Sequence, residues 1–472
     1  MNPFATWRPS WQRLRPVAGL AAALLGLGGC AAYAPRPLPT TTDSARTLRQ
    51  LRVDARRIPL PRLQQQRIDP DRPLGIDAVA ALAVLNNPQL RLARDRLGIA
   101  QAQAFAAGLL PDPHLSASRS LPGHATGATS TAYSLDLAFD LGSLLLRPDA
   151  QAAARAHARS LNLDLLWQEW QTAAQAQLLF VRLSGLRQRD LLLRSEQTLL
   201  RRRLRRTRAA VAAGNLPRTD ADAQLVLLQA LQQKQRADAQ HRLAWQAQLH
   251  ALLGLAPAVP LHLGPLPPIP AHSTRDVEQA LAQVARIRPD LLALRAGYRS
   301  QEHKLREAVL AQFPSIGVDF TRARDTSNIN TVGFGLSFNL PLLNGSRGAM
   351  AVGRATRREL FDAYQLRLDQ TQSQVAQALA DLRLLRAQRA ALRAALPQLR
   401  GAARAAQLAL ARGAITLPQA QAQQLALLQQ RLALQAIAQQ RAEQVVGLDL
   451  LTGSGLYRSA APADSHQRKQ ES

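Results

Sequence analysis

The sequence predicts a mainly α chain with a small β part, built from one large helix-helix-strand-strand-helix-helix unit written twice. Segments recur at one fixed offset. Leu137-Ala138-Phe139-Asp140-Leu141 returns as Leu336-Ser337-Phe338-Asn339-Leu340, Ala213-Gly214-Asn215-Leu216-Pro217 as Arg412-Gly413-Ala414-Ile415-Thr416, and Leu252-Leu253-Gly254 as Leu451-Thr452-Gly453. The spacing is about 200 residues each time, far beyond the roughly 20 to 50 residues of a solenoid repeat. Aromatics make up only 4% of the 472 residues while Ala, Leu, Gln and Arg dominate, a mix that favours long, closely packed helices over thick cores. Short stretches in each half alternate apolar and polar residues with the period of a strand.

The N-terminus reads as an export signal over residues 1–29. Arg8, Arg13 and Arg15 precede a short apolar stretch from Val17 to Leu27, which ends at Leu27-Gly28-Gly29-Cys30. That stretch is too short to span a bilayer. Small residues before a cysteine resemble a lipobox, so Cys30 is the expected lipidation site; the other reading is an ordinary signal peptide with an incidental cysteine. Cys30 is the sole cysteine, which excludes a disulfide framework. Several acyl chains on one residue make a stable anchor. Ala31 in place of Asp fits sorting to the outer membrane. No later stretch reaches 18 apolar residues, so any spanning must be done by strands.

Residues 30–73 are rich in proline, arginine and polar residues and read as an extended arm. The first repeat follows over 74–256, with strands expected at about 114–120 and 132–142. A proline-rich connector covers 257–273. The second repeat covers 274–456, with strands at about 315–323 and 331–341, and 457–472 reads as a disordered tail. In each repeat a short helix ends before a proline (Asn86-Asn87-Pro88, Ile287-Arg288-Pro289) and a second helix stops near Pro111 or Pro314. Leu135, Leu137, Phe139 and Leu141 then share one strand face, as do Val332, Phe334, Leu336, Phe338 and Leu340. Such alternation fits a tilted membrane strand, or an amphipathic hairpin packed on the helices. Long helical stretches run from about Pro148 to Ala213 and from Arg347 to Arg412, with Gly185 and Gly353 inside them, and end at Gly214 and Gly413. Return helices follow, with Thr219 a candidate cap for the first and Pro418 suited to the first turn of the second. Leu425, Leu428, Leu432 and Ala436 form a coiled-coil-like seam.

The net charge of +27 has two readings. Nucleic-acid binding needs basic residues set against phosphates, but an exported chain with few interleaved aromatics fits that poorly, and no nucleic-acid partner is expected. Arginines on solvated helix faces, drawn to anionic lipid or acidic partner surfaces, fit better. The nine histidines show no i, i+4 pair and no Cys/His cluster, and there is no P-loop, Gly-x-Ser-x-Gly element or dinucleotide fingerprint. No metal, cofactor or catalytic centre is expected, and the chain does not read as an enzyme.

Four strands cannot close a barrel, and open edges in lipid leave backbone groups unpaired at several kcal/mol each. Three copies give 12 strands, so the expectation is a homotrimer whose 12-stranded membrane β-barrel continues into a long periplasmic α-helical barrel. The repeated element order behind a lipobox resembles the TolC-type outer membrane factors over about Leu74 to Leu456. The matching stretches are Asn86-Asn87-Pro88-Gln89-Leu90, Arg288-Pro289-Asp290-Leu291, Phe338-Asn339-Leu340-Pro341-Leu342, the glycines Gly214 and Gly413, and Leu252-Leu253-Gly254-Leu255. Ala107-Gly108-Leu109-Leu110-Pro111-Asp112-Pro113 is similar to the branch serving heavy-metal efflux of the cobalt-zinc-cadmium type.

The resemblance implies a passive outer membrane channel, lipid-anchored and extending into the periplasm. It would dock onto a membrane-fusion adaptor and an inner-membrane pump of the resistance-nodulation-division or ABC type. The expected adaptor contacts are Gly214, Asn215, Leu216, Gly413, Ala414 and Ile415. Acids that the family can carry six and nine positions after the second glycine are replaced here by Gln419 and Ala422; the acids lie at Asp220 and Asp222. Asp220, Asp222 and Gln419 are therefore the candidate lumen gate, the two acids also reading as helix N-terminal residues that complement the dipole. The run Arg201-Arg202-Arg203-Leu204-Arg205-Arg206-Thr207-Arg208 reads as a solvated helix face or an adaptor-facing ring. The rival to a channel is a lipid-anchored periplasmic coiled-coil scaffold without a pore.

Overall fold

A computed structural model describes residues 33–123, 129–268 and 273–453. The signal peptide, Cys30 and the tail 457–472 lie outside the described residues. The chain divides at Ser44 into two units; the described part of the first, 33–44, is exposed and carries no regular element. From Ala45 onward the order is α1 (Ile76–Asn86), α2 (Pro88–Ala106), β1 (His114–Ser120), β2 (Ala132–Asp140), α3 (Leu141–Ala212), α4 (Arg218–Leu253), then α5 (Thr274–Ile287), α6 (Pro289–Leu310), β3 (Ser315–Arg324), β4 (Asn330–Asn339), α7 (Arg347–Ala411) and α8 (Leu417–Thr452). The six-element unit is present twice.

The two copies interlock. α3 packs against α6 and α8 of the other repeat as well as α4, α1 and α2 of its own. At 72 residues α3 is roughly 110 Å long, and α7 at 65 roughly 100 Å. Gly185 lets α3 approach α8 closely: a Cβ there would sit 2.1 Å from Gln439 Oε1. The seam on α8 holds at Leu425, Leu428 and Leu432, which are buried or half-buried, but Ala436 is exposed and Ile437 takes its place. A helix of 3.6 residues per turn drifts off a strict 3.5 repeat, so the buried stripe shifts by one position.

Several boundaries differ from the sequence reading. α2 and α6 end at Ala106 and Leu310, a few residues before the prolines. Their last turns tighten into three-residue bonds, Gly108 N–H to Phe105 C=O at 2.9 Å and Phe313 N–H to Leu310 C=O at 3.1 Å. β2 stops at Asp140 and α3 begins at once, since the Asp140 carboxylate accepts from Gly142 N–H (2.9 Å) and Ser143 N–H (3.2 Å). Pro148 is absorbed inside α3, as Pro397 is inside α7. Pro217, not Thr219, stands at the N-cap of α4, and Thr219 occupies its first turn without capping it.

The arm is fastened from Ala45 onward. It has only single helical turns, yet Leu51, Ile58, Leu60 and Leu63 are buried with the wholly buried α1 face, Trp170, Phe180, Leu249 and Leu253 in the largest core. Parallel bridges tie Ala45 to Leu255 and Leu74 to Leu263 of the connector.

Individually weak motifs meet in this core. Gly254 (φ 66°) ends α4 against Asn86, whose carbonyl would lie 2.9 Å from any added Cβ; Asn87 Oδ1 caps α2 through Gln89 and Leu90 N–H. In the second repeat Gly453 (φ 71°) lies against Trp170 and Ile287. Beside it Arg288, 1% exposed, is held in a fork by Asp290 (2.9 and 2.6 Å) and donates to Thr371 Oγ1 at 2.9 Å. Its guanidinium stands 4.7 Å from the Trp167 ring centre.

Candidate functional site

The strands form one antiparallel sheet in the order β1-β2-β3-β4. The hairpin of each repeat pairs with the other through β2 and β3, from Tyr133↔Arg324 to Asp140↔Gly317. Strand alternation then sorts side chains onto two faces. One face carries the rungs Phe139–Val318–Leu336, Leu115–Leu137–Phe320–Phe334 and Ile316–Phe338. It is exposed in the single chain: Leu115, Leu135, Phe320, Phe334, Leu336 and Phe338 are all at least 45% accessible. The Phe320 and Phe334 rings meet at 5.3 Å, tilted at 57°. The opposite face is small and polar. Asp136 accepts hydrogen bonds from Thr321 Oγ1 (2.6 Å), Ser134 Oγ (3.1 Å) and Ser116 Oγ (3.5 Å), and Asp319 stands opposite Gly335, where any Cβ would meet its carboxylate. Asp136, Asp319 and this ladder were not singled out from the sequence, though their signal was the same period of two that exposed the apolar face.

The outer edges of β1 and β4 have no strand partner among the described residues. No described helix is long and apolar enough to cross a membrane, and no group of metal-ligating side chains is assembled among the described residues.

At the other end of the long helices are two tight turns. Gly214 (φ 77°) and Gly413 (φ 71°) are left-handed, as the sequence led us to expect. Each closes the same pair of bonds: Asn215 N–H to Ala210 C=O and Gly214 N–H to Val211 C=O in one, Ala414 N–H to Ala409 C=O and Gly413 N–H to Leu410 C=O in the other. Gly214, Asn215, Leu216, Gly413 and Ala414 are exposed and Ile415 is half-buried. Asp220 and Gln419 occupy the same third position of α4 and α8. Gln419 Oε1 accepts from Thr416 N–H at 2.8 Å and Thr416 Oγ1 at 3.0 Å, closing the start of α8. Asp220 and Asp222 are exposed in the first turns of α4. In the arginine run Leu204 is buried with Leu200, Leu228 and Leu231, while Arg201, Arg202, Arg205 and Arg206 are exposed.

No protein-family model matches the chain, and no curated protein does. Solved structures do. The outer-membrane channel OprN aligns with a TM-score of 0.69 at 17% identity, covering 90% of this chain and 100% of its own. The Campylobacter jejuni CmeC outer membrane channel aligns at 0.67 and 15%, covering 92% and 96%. The open state of the Neisseria gonorrhoeae MtrE outer membrane channel aligns at 0.65 and 18%, covering 91% and 99%. The chain has the fold of an outer-membrane channel. In this chain the sheet and the two glycine turns lie at opposite ends of α3 and α7, and the core around α1, Trp170 and Phe180 packs on the middle of α3.

Proposed function

We propose that this protein is the outer membrane channel of a tripartite efflux or secretion system of the TolC type. Three copies conduct substrates passively from a periplasmic adaptor and an inner-membrane pump, of the resistance-nodulation-division or ABC type, to the exterior. The observation that carries the reading is the four-stranded sheet, apolar on one face, polar on the other and, among the described residues, unpaired at both edges. Such a sheet is satisfied in lipid only by pairing β1 with β4 of a neighbouring copy until the ring closes. Three copies close it at 12 strands, with Asp136 and Asp319 turned to the lumen. Cys30 would anchor each copy to the outer membrane, and the Gly214 and Gly413 turns would meet the adaptor.

The stretch Ala107–Pro113 favours the heavy-metal branch, with metal ions as cargo. Asp220 and Asp222 take the gate position in place of Gln419, whose oxygen is engaged at the cap. The test is purification in mild detergent, followed by mass determination and single-channel recording in planar bilayers. A trimer with discrete conductance is expected, and Asp220→Asn with Asp222→Asn should shift the reversal potential away from cation preference. A monomer without conductance would favour the lipid-anchored scaffold and overturn the duct.

A further inference from the structure

The sheet separates its charges. Its carboxylates Asp136, Asp140 and Asp319 lie on the polar face, whereas Arg119, Arg322 and Arg324 lie on the apolar one. Arg119 and Arg324 flank Tyr133 on a single rung, and Arg322 occupies the next, level with Ala117, Leu135 and Val332. All three arginines stand at the hairpin-loop end of the strands, the end away from the helices. Arg119 and Arg322 are exposed. The Arg324 guanidinium lies 5.4 Å from the Tyr133 ring centre and its Nη2 donates to the Thr131 carbonyl at 3.3 Å, but Nε has no partner among the described residues. The nearest loop carboxylate, Asp325, is engaged by Ser327 and Ile329 N–H, both at 2.9 Å.

We propose that this rim is a binding site for an anionic lipid with a phosphorylated headgroup in the outer leaflet. The inference rests on the membrane-channel reading, which turns the apolar face to lipid. Cations on such a face are costly unless their heads reach the interface, and arginine stems can run along apolar surface while the guanidinium does so. There the planar guanidinium pairs with phosphate through two parallel bonds. The apolar rungs below, Phe320–Phe334 and Val318–Leu336, would receive the acyl chains. This continuity selects an amphiphile over a free anion. Three copies would place nine arginines around the rim.

The test uses the full-length protein and R119Q/R322Q/R324Q in nanodiscs of phosphatidylcholine doped with phosphatidic acid, with retained lipid read by native mass spectrometry. Each basic side chain near an anionic surface adds about fivefold in affinity, so the triple variant should lose about a hundredfold. Conductance of both proteins in planar bilayers of the same lipids should be unchanged. Equal retention of phosphatidic acid by both proteins, or its displacement by excess inorganic phosphate, overturns the lipid site while leaving the duct standing. A wild-type protein that neither inserts nor conducts overturns the duct itself, and this proposal with it.

Discussion

Leu336→Arg separates a membrane sheet from a soluble one. Leu336 sits one rung from the middle of the apolar face, on the helix side, beside Val318 and Phe139, and is 55% exposed in the single chain. If that face meets water, the substitution changes an exposed residue and should stay within about 0.5 kcal/mol. If it meets hydrocarbon, an arginine near the midplane costs about 2–4 kcal/mol per chain. Three symmetry-related copies raise this to about 6–12 kcal/mol per barrel, since all three must insert for the ring to close. Ser337→Lys is the control. It lies one residue further on, facing the polar side opposite Gly317, and a lumen substitution should change selectivity more than insertion. The assay is urea titration of folding into phosphatidylcholine vesicles, read by protease protection of the strands. Leu336→Arg should shift the midpoint strongly and Ser337→Lys little. An unshifted Leu336→Arg would refute the lipid-facing assignment and with it the closed barrel.

Asp290→Asn should destabilise the protein by about 3–5 kcal/mol, because it leaves the buried Arg288 without its carboxylate; chemical unfolding in detergent measures it. Glu169, 4% exposed, has its pKa raised chiefly by burial, with Arg94 at 2.7 Å opposing through its hydrogen bond and charge. The folded state therefore holds that proton more tightly than the unfolded one. Its contribution to stability is full below the ordinary value of 4.5 and is lost as pH rises through the raised pKa. Glu169→Gln should flatten that decline in a series of unfolding midpoints against pH, and an unchanged slope would contradict the assignment. Replacing Arg202, Arg205 and Arg206 by Gln should weaken adaptor binding about tenfold at low salt. Unchanged affinity by surface plasmon resonance would return the run to a plain solvated face.

Much of the fold was legible because it was written twice in two distinct periods. In β3 the period of two at Ile316, Val318 and Phe320 has no helical equivalent, whereas β1 is exposed throughout and carries no such alternation. The glycine turns were legible because a left-handed residue after a long helical stretch is a local property. What eluded the sequence was mostly non-local. That α3 would start at Leu141, well ahead of Pro148, depends on one carboxylate, that of Asp140, finding two free N–H groups. The burial of the arm is similar in kind: Ile58, Leu60 and Leu63 had no period to announce them, only a partner in α1. The arginine rim was invisible as a feature because Arg119, Arg322 and Arg324 converge only through strand register.

The two halves of the repeat are built differently, and the difference says where assembly must act. β2 passes directly into α3, whereas β4 ends seven residues before α7, across Gly345 and Ser346 with φ of 53° and 54°. α3 has 20 buried residues in 72, α7 only 8 in 65. Along α7, Val352, Phe361, Leu366, Leu384 and Leu408 are each at least 57% exposed, large apolar side chains that the described residues leave mostly open. Few buried contacts mean low local stability and fast opening, so in an isolated chain α7 should fray first. A neighbouring copy that closes the ring would cover some of these side chains, and the gain should fall on α7 far more than on the middle of α3, already enclosed around Trp170 and Phe180. Hydrogen exchange on the trimer and on detergent-dissociated monomer measures the difference directly. Protection gained on assembly should be largest in α7 and small over 165–186. Equal gains in both would mean that the exposed apolar residues of α7 are not where copies meet.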